Sequence, residues 1–436
     1  MITRAVAGPV SPARVAGALA SHRLPCAFRQ AGVAPGSRLM VACEPVRVVR
    51  GASVDELATA WAEERARWQV PGLAGLPIAA GFLSYDLGRC FERIRGRELP
   101  SSPWPLLEFR FYDAFLALGG AGGRAEVWAR DERAARLLVA ALLSPEAQRV
   151  PEPMRVDGGP LAELEPPHLH LEAVAAGLDY IRAGDIYQVN LARRLGCAFA
   201  AAPDRALGFS LFLRLERAAP APHAFWMSDA ENGTALVGNS PERFLHRSTD
   251  GAIATSPIKG TRPLIAGEPP ERGAELLLSS SKDRAEHVMI VDLERNDLGR
   301  VCQTGSVEVA ELCRVLTLPT VHHLESTVRG RLRPEVGLAE LLRATFPGGS
   351  ITGAPKIRAM EIIEQLEPAR RGPYTGATGW LGAAGDLDLA VAIRTALIQD
   401  GRLTLWVGGG IVADSTPEAE LAETWDKAQA FSRALG

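Results

Sequence analysis

Apolar residues recur along this chain at two spacings, every second position and every third or fourth. The places where one spacing gives way to the other mark the predicted elements. Ser53-Val54-Asp55-Glu56 has the form of a capping box, and the pattern after it predicts a helix to about Trp68. Gly81 to Gly88 predicts a strand ending in a turn, Leu107 to Leu118 a further strand, and Glu132 to Leu143 a helix. Between Ser144 and His170 periodicity disappears and Pro145, Pro151, Pro153, Pro160, Pro166 and Pro167 accumulate. The pattern therefore predicts an N-terminal part over 1–150, a proline-rich connection over 151–170 and a second part over 171–436.

The second part opens with a predicted helix from Leu171 to Ala183, ended by Gly184. In the strand predicted from Ile186 to Leu191, Gln188 and Asn190 share one face, while Val189 and Leu191 share the other. Those two amides form either a polar site or a solvent face. Ser280-Ser281-Lys282-Asp283 predicts the cap of a helix through Leu293, with Asp283 and Glu286 on one side of it. Pro347 to Lys356 leads into another helix and resembles a phosphate loop, but it lacks the Gly-x4-Gly-Lys-Ser/Thr spacing, which excludes that reading.

Leu387 to Ile398 alternates throughout and predicts one strand, with Arg394 on a face of alanines (Ala390, Ala392, Ala396). An arginine over such a floor either grips a carboxylate bidentately or makes an internal salt bridge. Asp400-Gly401 predicts a hairpin turn, and Leu403 to Val407 the returning strand. Gly408-Gly409-Gly410, running on to Ser415, is either a loop whose N–H groups approach an anion or a flexible turn. Thr416-Pro417 starts a final helix. On it Glu420, Glu423 and Lys427 fall within a wedge of roughly 60°, as a solvated face or as part of a Mg²⁺ site with Asp283 and Glu286 opposite.

A length of 436 residues predicts one very large domain or two. A net charge of −3 gives no general attraction to nucleic acid or to an anionic membrane. The 6 cysteines are scattered without a Cys-x-x-Cys pair, which predicts neither a disulfide framework nor a zinc site and fits a reducing cytoplasm. Pro9, Pro12 and Arg14 interrupt any apolar leader, and the longest apolar run, Leu137 to Leu143, is too short to span a bilayer. Lysine is the informative residue. Only Lys259, Lys282, Lys356 and Lys427 occur among 48 basic residues, so arginine is the default cation. Lys259 lies in Ser256-Pro257-Ile258-Lys259-Gly260-Thr261-Arg262-Pro263, fenced by prolines and followed by a glycine, where an amine freed of its proton is a nucleophile and a guanidinium is not.

Ordered blocks extend this pattern: Gly184 to Leu191, Ser240-Pro241-Glu242-Arg243-Phe244, Pro257 to Thr261, Asp283 to His287 and Asp292 to Asp297. They continue with Val321 to Leu324, Phe346 to Lys356, Ala392 to Thr395, Gly408 to Ser415 and Glu420 to Lys427. In these blocks the chain resembles the chorismate-utilising enzymes, strongly from about residue 170 onward. The resemblance implies an α+β fold of two large facing antiparallel β-sheets with helices packed outside. Relatives that make anthranilate carry alanine where Lys259 stands, and isochorismate and salicylate synthases carry a lysine where Gln188 stands. The combination here resembles the aminodeoxychorismate synthase component I branch, with anthranilate synthase component I or a non-catalytic activator of an amidotransferase as alternatives.

The same resemblance implies the roles. Glu286 and Glu423 would hold Mg²⁺, supported by Asp283 and Glu420. Gly409, Gly410 and Lys427 would assist the ring carboxylate of chorismate; Arg394 and Tyr374 would take the enolpyruvyl carboxylate. His323, Thr261 and Gln188 would line the substrate. Lys259 would attack carbon 2 with Glu242 as general acid, and ammonia would then displace the lysine. The chain has Trp380 where relatives often have tyrosine, and its segment Gly36 to Pro45 is a loose match, which bears on a tryptophan pocket present in some relatives. No glutaminase Cys-His site follows Lys427, so ammonia would come from solution or from a separate glutamine amidotransferase subunit, in a heterodimer.

Overall fold

The computed structural model describes residues 1–6, 10–12, 15, 18–19, 22–30, 37–70, 73–119, 125–143, 156, 158–199, 207–264, 269–318 and 321–436. Of the connection expected over 151–170, residues 151–155 and 157 lie outside them, as does Gly36 at the start of the loosely matching segment; the remainder already contains strand Ala162–Glu163 and the start of helix Pro167–Arg182, four residues before the expected Leu171. Among the described residues two antiparallel sheets carry the architecture, one of 12 strands and one of 10.

The first sheet runs Ile2–Ala5, Ala125–Ala129, Ala114–Leu118, Arg38–Ala42, Cys26–Gln30, His223–Asp229, Thr234–Ser240, Thr395–Gln399, Arg402–Ile411, Gln188–Ala198 and Gly353–Ala354. The short strand Ala162–Glu163 pairs beside it on Gln188–Ala198. The second runs Ile258–Pro263, Val321–Arg331, Ala252–Ser256, Arg243–Arg247, Leu387–Val391, Ala377–Gly382, Pro77–Leu83, Leu107–Phe111 and Arg47–Gly51, with Glu308–Thr317 also on Val321–Arg331. Both sheets draw strands from the first 150 residues and from the last 270 or so.

Alternate side chains of one strand enter different cores. Phe28 and Met40 join Phe82, Trp380 and Trp406 in a layer between the two sheets. Ala27, Leu39 and Val41 face the opposite way, onto Phe209 and Phe212 of helix Leu207–Ala218 and Phe431 of helix Pro417–Leu435. The second sheet is likewise covered outside by helices Val54–Trp68, Leu338–Thr345 and Lys356–Leu366. The central strands of each sheet are therefore buried on both faces, the layered solution expected when helices pack outside facing sheets, while Ile2–Ala5, Arg47–Gly51 and Glu308–Thr317 are largely open to solvent.

Local signals hold where the chemistry is local. Ser53 accepts from the Glu56 N–H and opens a helix ending at Trp68, and the helix Glu132–Leu143 has the expected bounds. Asp400 and Gly401 have φ of +48° and +76°, the pair of left-handed residues a two-residue hairpin needs. Four expectations are corrected. Leu107 to Leu118 is two strands in different sheets, and so is Leu387 to Ile398: the chain leaves the second sheet after Val391 and enters the first at Thr395. Arg394 thus lies at a crossover with φ +49°, not within a strand over alanines. Gly408–Gly410 is part of strand Arg402–Ile411 and not a loop. A Cβ on Gly408 would collide with the Leu191 carbonyl oxygen, so glycine is what lets the two strands approach. The strand expected over Gly81 to Gly88 starts at Pro77 and gives way to a 3-10 turn, Tyr85–Cys90.

Candidate active site

Two strands of the first sheet form the floor. Gln188–Ala198 and Arg402–Ile411 pair with Asn190 opposite Gly410 and Leu191 opposite Gly409. The ladder from Thr395–Gln399 covers Arg402–Ile411 only as far as Leu405, so beyond that point its second edge carries no partner strand among the described residues. Helix Ser281–Gly299, capped by Ser280 on the Asp283 N–H, brings Glu286 over this floor. Helix Pro417–Leu435, capped by Thr416, brings Glu420, Glu423 and Lys427 from the other side.

The glycines measure how closely these groups converge. A Cβ on Gly410 would lie 2.8 Å from Glu286 Oε1 and 2.9 Å from Lys259 Nζ, and would overlap the Gln188 amide. A Cβ on Gly409 would lie 3.0 Å from Glu420 Oε2, 3.4 Å from Lys427 Nζ and 3.7 Å from Glu423 Oε1. Successive residues of a strand point to opposite faces, so Glu286 with Lys259 and the Glu420–Glu423–Lys427 group approach the strand from its two sides at neighbouring glycines. Lys259 Nζ is 3.1 Å from Glu286 Oε1, and Lys427 Nζ is 2.7 Å from Glu423 Oε1 and donates to the Gly408 carbonyl at 2.7 Å. Ser415 Oγ donates to Glu420 Oε1 at 2.6 Å, and Asp283 stands beside Gly260.

Lys259 comes from strand Ile258–Pro263, whose register on Val321–Arg331 shifts between Lys259 and Thr261. Gly260 occupies that shift at φ +69°, a bulge that re-aims the side chains on either side. Thr261 consequently pairs with His323, and its Oγ1 lies 2.9 Å from His323 Nδ1. His323 Nε2 is 3.1 Å from Arg394 Nη2. A guanidinium only donates, so Nε2 accepts and the ring proton sits on Nδ1. Burial, reinforced by Arg394, pushes His323 down to about 3, so the ring stays neutral and holds the guanidinium in place.

Arg394 makes no ion pair with any carboxylate among the described residues, although burial works against its charge and only the more distant Glu242 favours it. The internal salt bridge left open by the sequence is thus not what this arginine makes. Gln188 is similar: both amide atoms are buried without a hydrogen-bond partner in a fully enclosed side chain. Such groups are arranged for a polar ligand. Glu242 is buried beside them, and burial pushes its carboxyl up to about 7 against the opposing pull of Ser350, Lys259, the Ile258 N–H and Arg394. A carboxyl half-protonated near neutrality suits a general acid.

Tyr374 stands apart. Its ring stacks on Trp406 at 5.7 Å in the layer between the sheets, and no hydrogen bond joins it to Arg394. Sequence reasoning gave no role to Ser350, which interacts with Glu242, although its stretch Phe346 to Lys356 was among the matching blocks. It also missed Arg371, fully buried, which pairs with Glu367 at 2.6 Å and donates to the Asn190 and Ile351 carbonyls. Nothing in the spacing around Arg371 distinguishes it from the many surface arginines.

Glu286 beside Gly410 and Glu423 beside Gly409 are carboxylates from separate helices, the donor type and number that Mg²⁺ takes together with water and ligand oxygens. Among the described residues no group of three or more His, Cys, Asp or Glu is placed to hold a metal ion, and Glu286 and Glu423 are each paired with a lysine.

The model of the chorismate binding enzyme family matches residues 28–433. Aminodeoxychorismate synthase component 1 of Klebsiella aerogenes is 41% identical over 82% of this chain and 77% of its own length. Anthranilate synthase component 1 of Saccharolobus solfataricus is 38% identical over 82% of this chain and 80% of its own. The crystal structure of anthranilate synthase component I from Streptococcus pneumoniae superposes with a TM-score of 0.76 at 30% identity, covering 92% of this chain and 93% of that one.

Proposed function

The chain belongs to the chorismate-binding enzymes and is of the enzyme class its aminodeoxychorismate synthase relatives represent, and from that premise we propose that it aminates chorismate at carbon 4. The observation that carries this reading is the meeting of Lys259 with buried Glu242 above Gln188 and Gly410, beside an arginine with no carboxylate of its own.

Arg394, aimed by neutral His323, grips the enolpyruvyl carboxylate with its guanidinium. The backbone N–H of Gly410 on the unpaired edge, with Lys427 beside Gly409, faces the ring carboxylate. Glu286 and Glu423, backed by Asp283 and Glu420, would hold Mg²⁺, which supplies charge neutralisation and orientation at that carboxylate. Lys259, released from Glu286, attacks carbon 2 as the neutral amine. The ring double bond shifts, and the 4-hydroxyl leaves as water on the proton from Glu242. Ammonia then adds at carbon 4, the double bond shifts back, and the Lys259 nitrogen departs with its electron pair. The balance is chorismate plus ammonia to 4-amino-4-deoxychorismate plus water. Ammonia is supplied by a glutamine amidotransferase subunit, and the product is that of a folate-directed 4-aminobenzoate route in the cytoplasm. No helix among the described residues is long and apolar enough to cross a membrane.

The anthranilate reading has the similarity to anthranilate synthases in its favour. Mass-resolved product analysis with chorismate, ammonium and Mg²⁺ separates the two. The expected product is 4-amino-4-deoxychorismate without pyruvate, lost in excess chelator and largely lost in Lys259→Ala. Pyruvate and anthranilate from the wild type would overturn the proposal, as would full activity in chelator for the metal.

A further inference from the structure

We infer that His287 is a positioning residue: its hydrogen bond to Ser326 sets how helix Ser281–Gly299 lies on strand Ile258–Pro263, and so holds Glu286 against Lys259. This rests on the roles of Lys259 and Glu286 given above.

His287 follows Glu286 on that helix, and both His287 and Ser326 are fully buried. His287 Nε2 lies 2.5 Å from Ser326 Oγ. Ser326, in strand Val321–Arg331, is a junction. Its N–H donates to the Pro257 carbonyl at 3.2 Å, two residues before Lys259. Its Oγ accepts the Cys313 N–H at 2.9 Å, where strand Glu308–Thr317 bulges on the opposite edge and Cys313 takes φ +53°. One serine thus joins the helix that carries Glu286, the entry to the strand that carries Lys259, and the strand beyond.

One turn earlier, Asp283 shares the face of His287 and meets the bulge at Gly260. A Cβ on Gly260 would lie 3.3 Å from the Asp283 Cβ and 3.1 Å from Leu277 Cδ1, so helix and strand are already in close contact there. Packing limits how near the helix comes; a directional hydrogen bond limits how it slides and rolls. Glu286 lies between these two points of the helix, and Lys259 immediately precedes Gly260. The 3.1 Å separation of Lys259 Nζ and Glu286 Oε1 is therefore set from both ends. Packing does not account for an imidazole here. His287 Nδ1 is buried with no hydrogen-bond partner among the described residues, which costs stability that an apolar side chain of similar size would not.

The test treats free enzyme, without chorismate or Mg²⁺, with an amine-acylating reagent and maps modification lysine by lysine by peptide mass spectrometry. The Lys259 and Glu286 side chains are 12% and 14% exposed, so the reagent reaches the amine when the pair loosens. Lys356, paired with Asp297, is the internal reference. In His287→Leu, Lys259 should be modified about threefold faster or more, with Lys356 unchanged. Its kcat for amination should fall by about tenfold or more. His287→Gln, whose amide donates or accepts, should restore both values, and His287→Gln combined with Ser326→Ala should lose them again. Wild-type modification of Lys259 in His287→Leu overturns the proposal, as does equal damage in the leucine and glutamine variants. Should His287→Leu fail to fold, Ser326→Ala is read in its place, and a wild-type rate at Lys259 overturns the proposal. Because labelling reads the free enzyme, failure of the carbon-4 reading, seen as anthranilate from the wild type, is distinguished from failure of this one.

Discussion

A guanidinium taken out of water without a carboxylate beside it is an unfavourable arrangement, and the fold maintains one at Arg394 through the neutral ring of His323. Lysine in its place keeps the charge and loses the bidentate geometry. Arg394→Lys should therefore lower kcat/KM for chorismate by about 30-fold or more, corresponding to roughly 2 kcal/mol for one charged contact. Steady-state kinetics within a factor of a few of wild type would remove Arg394 from the substrate. Glu242 carries a comparable strain of opposite sign. Its folded pKa, about 7, stands above the ordinary carboxyl value of 4.5, so its contribution to stability is fully present below 4.5 and is lost as pH rises through 7. Glu242→Gln should thus gain stability over wild type at pH 8, by up to about 3 kcal/mol, and little at pH 5. Melting temperatures at the two pH values check this, while turnover should fall by roughly 10²–10⁴-fold.

At the scale of the element, the site depends on strand Arg402–Ile411 having no side chains at Gly410, against Glu286, Lys259 and Gln188, and at Gly409, against Glu420, Glu423 and Lys427. Gly410→Ala places a methyl against Glu286, Lys259 and Gln188, all ends of side chains and none of them backbone. The expected outcome is a folded protein with a near-native melting temperature and no measurable amination; an active variant would mean the floor is not where chemistry occurs. What the sequence made legible at this scale follows from range. Caps at Ser53, Ser280 and Thr416 and the Asp400-Gly401 turn are written within four residues, and the structure has them as expected. The crossovers at Tyr112 and Arg394 were invisible, because alternation survives a change of sheet when both faces of both sheets are apolar. The role of the glycine run as strand was hidden for a related reason: only the partner strand, some 200 residues earlier, shows that the space is needed.

For the whole molecule, the two sheets are stitched from distant parts of the chain. Cys26–Gln30 pairs with His223–Asp229, and Pro77–Leu83 with Ala377–Gly382. A fragment of residues 171–436, although it holds every candidate site residue, would expose two long apolar strand edges and the face now covered by helix Val54–Trp68. It should be recovered as aggregate, and the intact chain should unfold in one calorimetric transition. A soluble, cooperatively melting fragment would show that the parts are separable. The same stitching has a consequence during synthesis. Phe28 meets Phe225 across about 200 residues, and Phe82 meets Thr378 across about 300. As the chain leaves the ribosome, Cys26–Gln30 must wait, its edge open, until just over half of the protein has been made, and Pro77–Leu83 until more than four-fifths has. The molecule is therefore a slow folder with a long aggregation-prone interval, and its yield in a cell is set by what shields the early strands while their partners are still being translated.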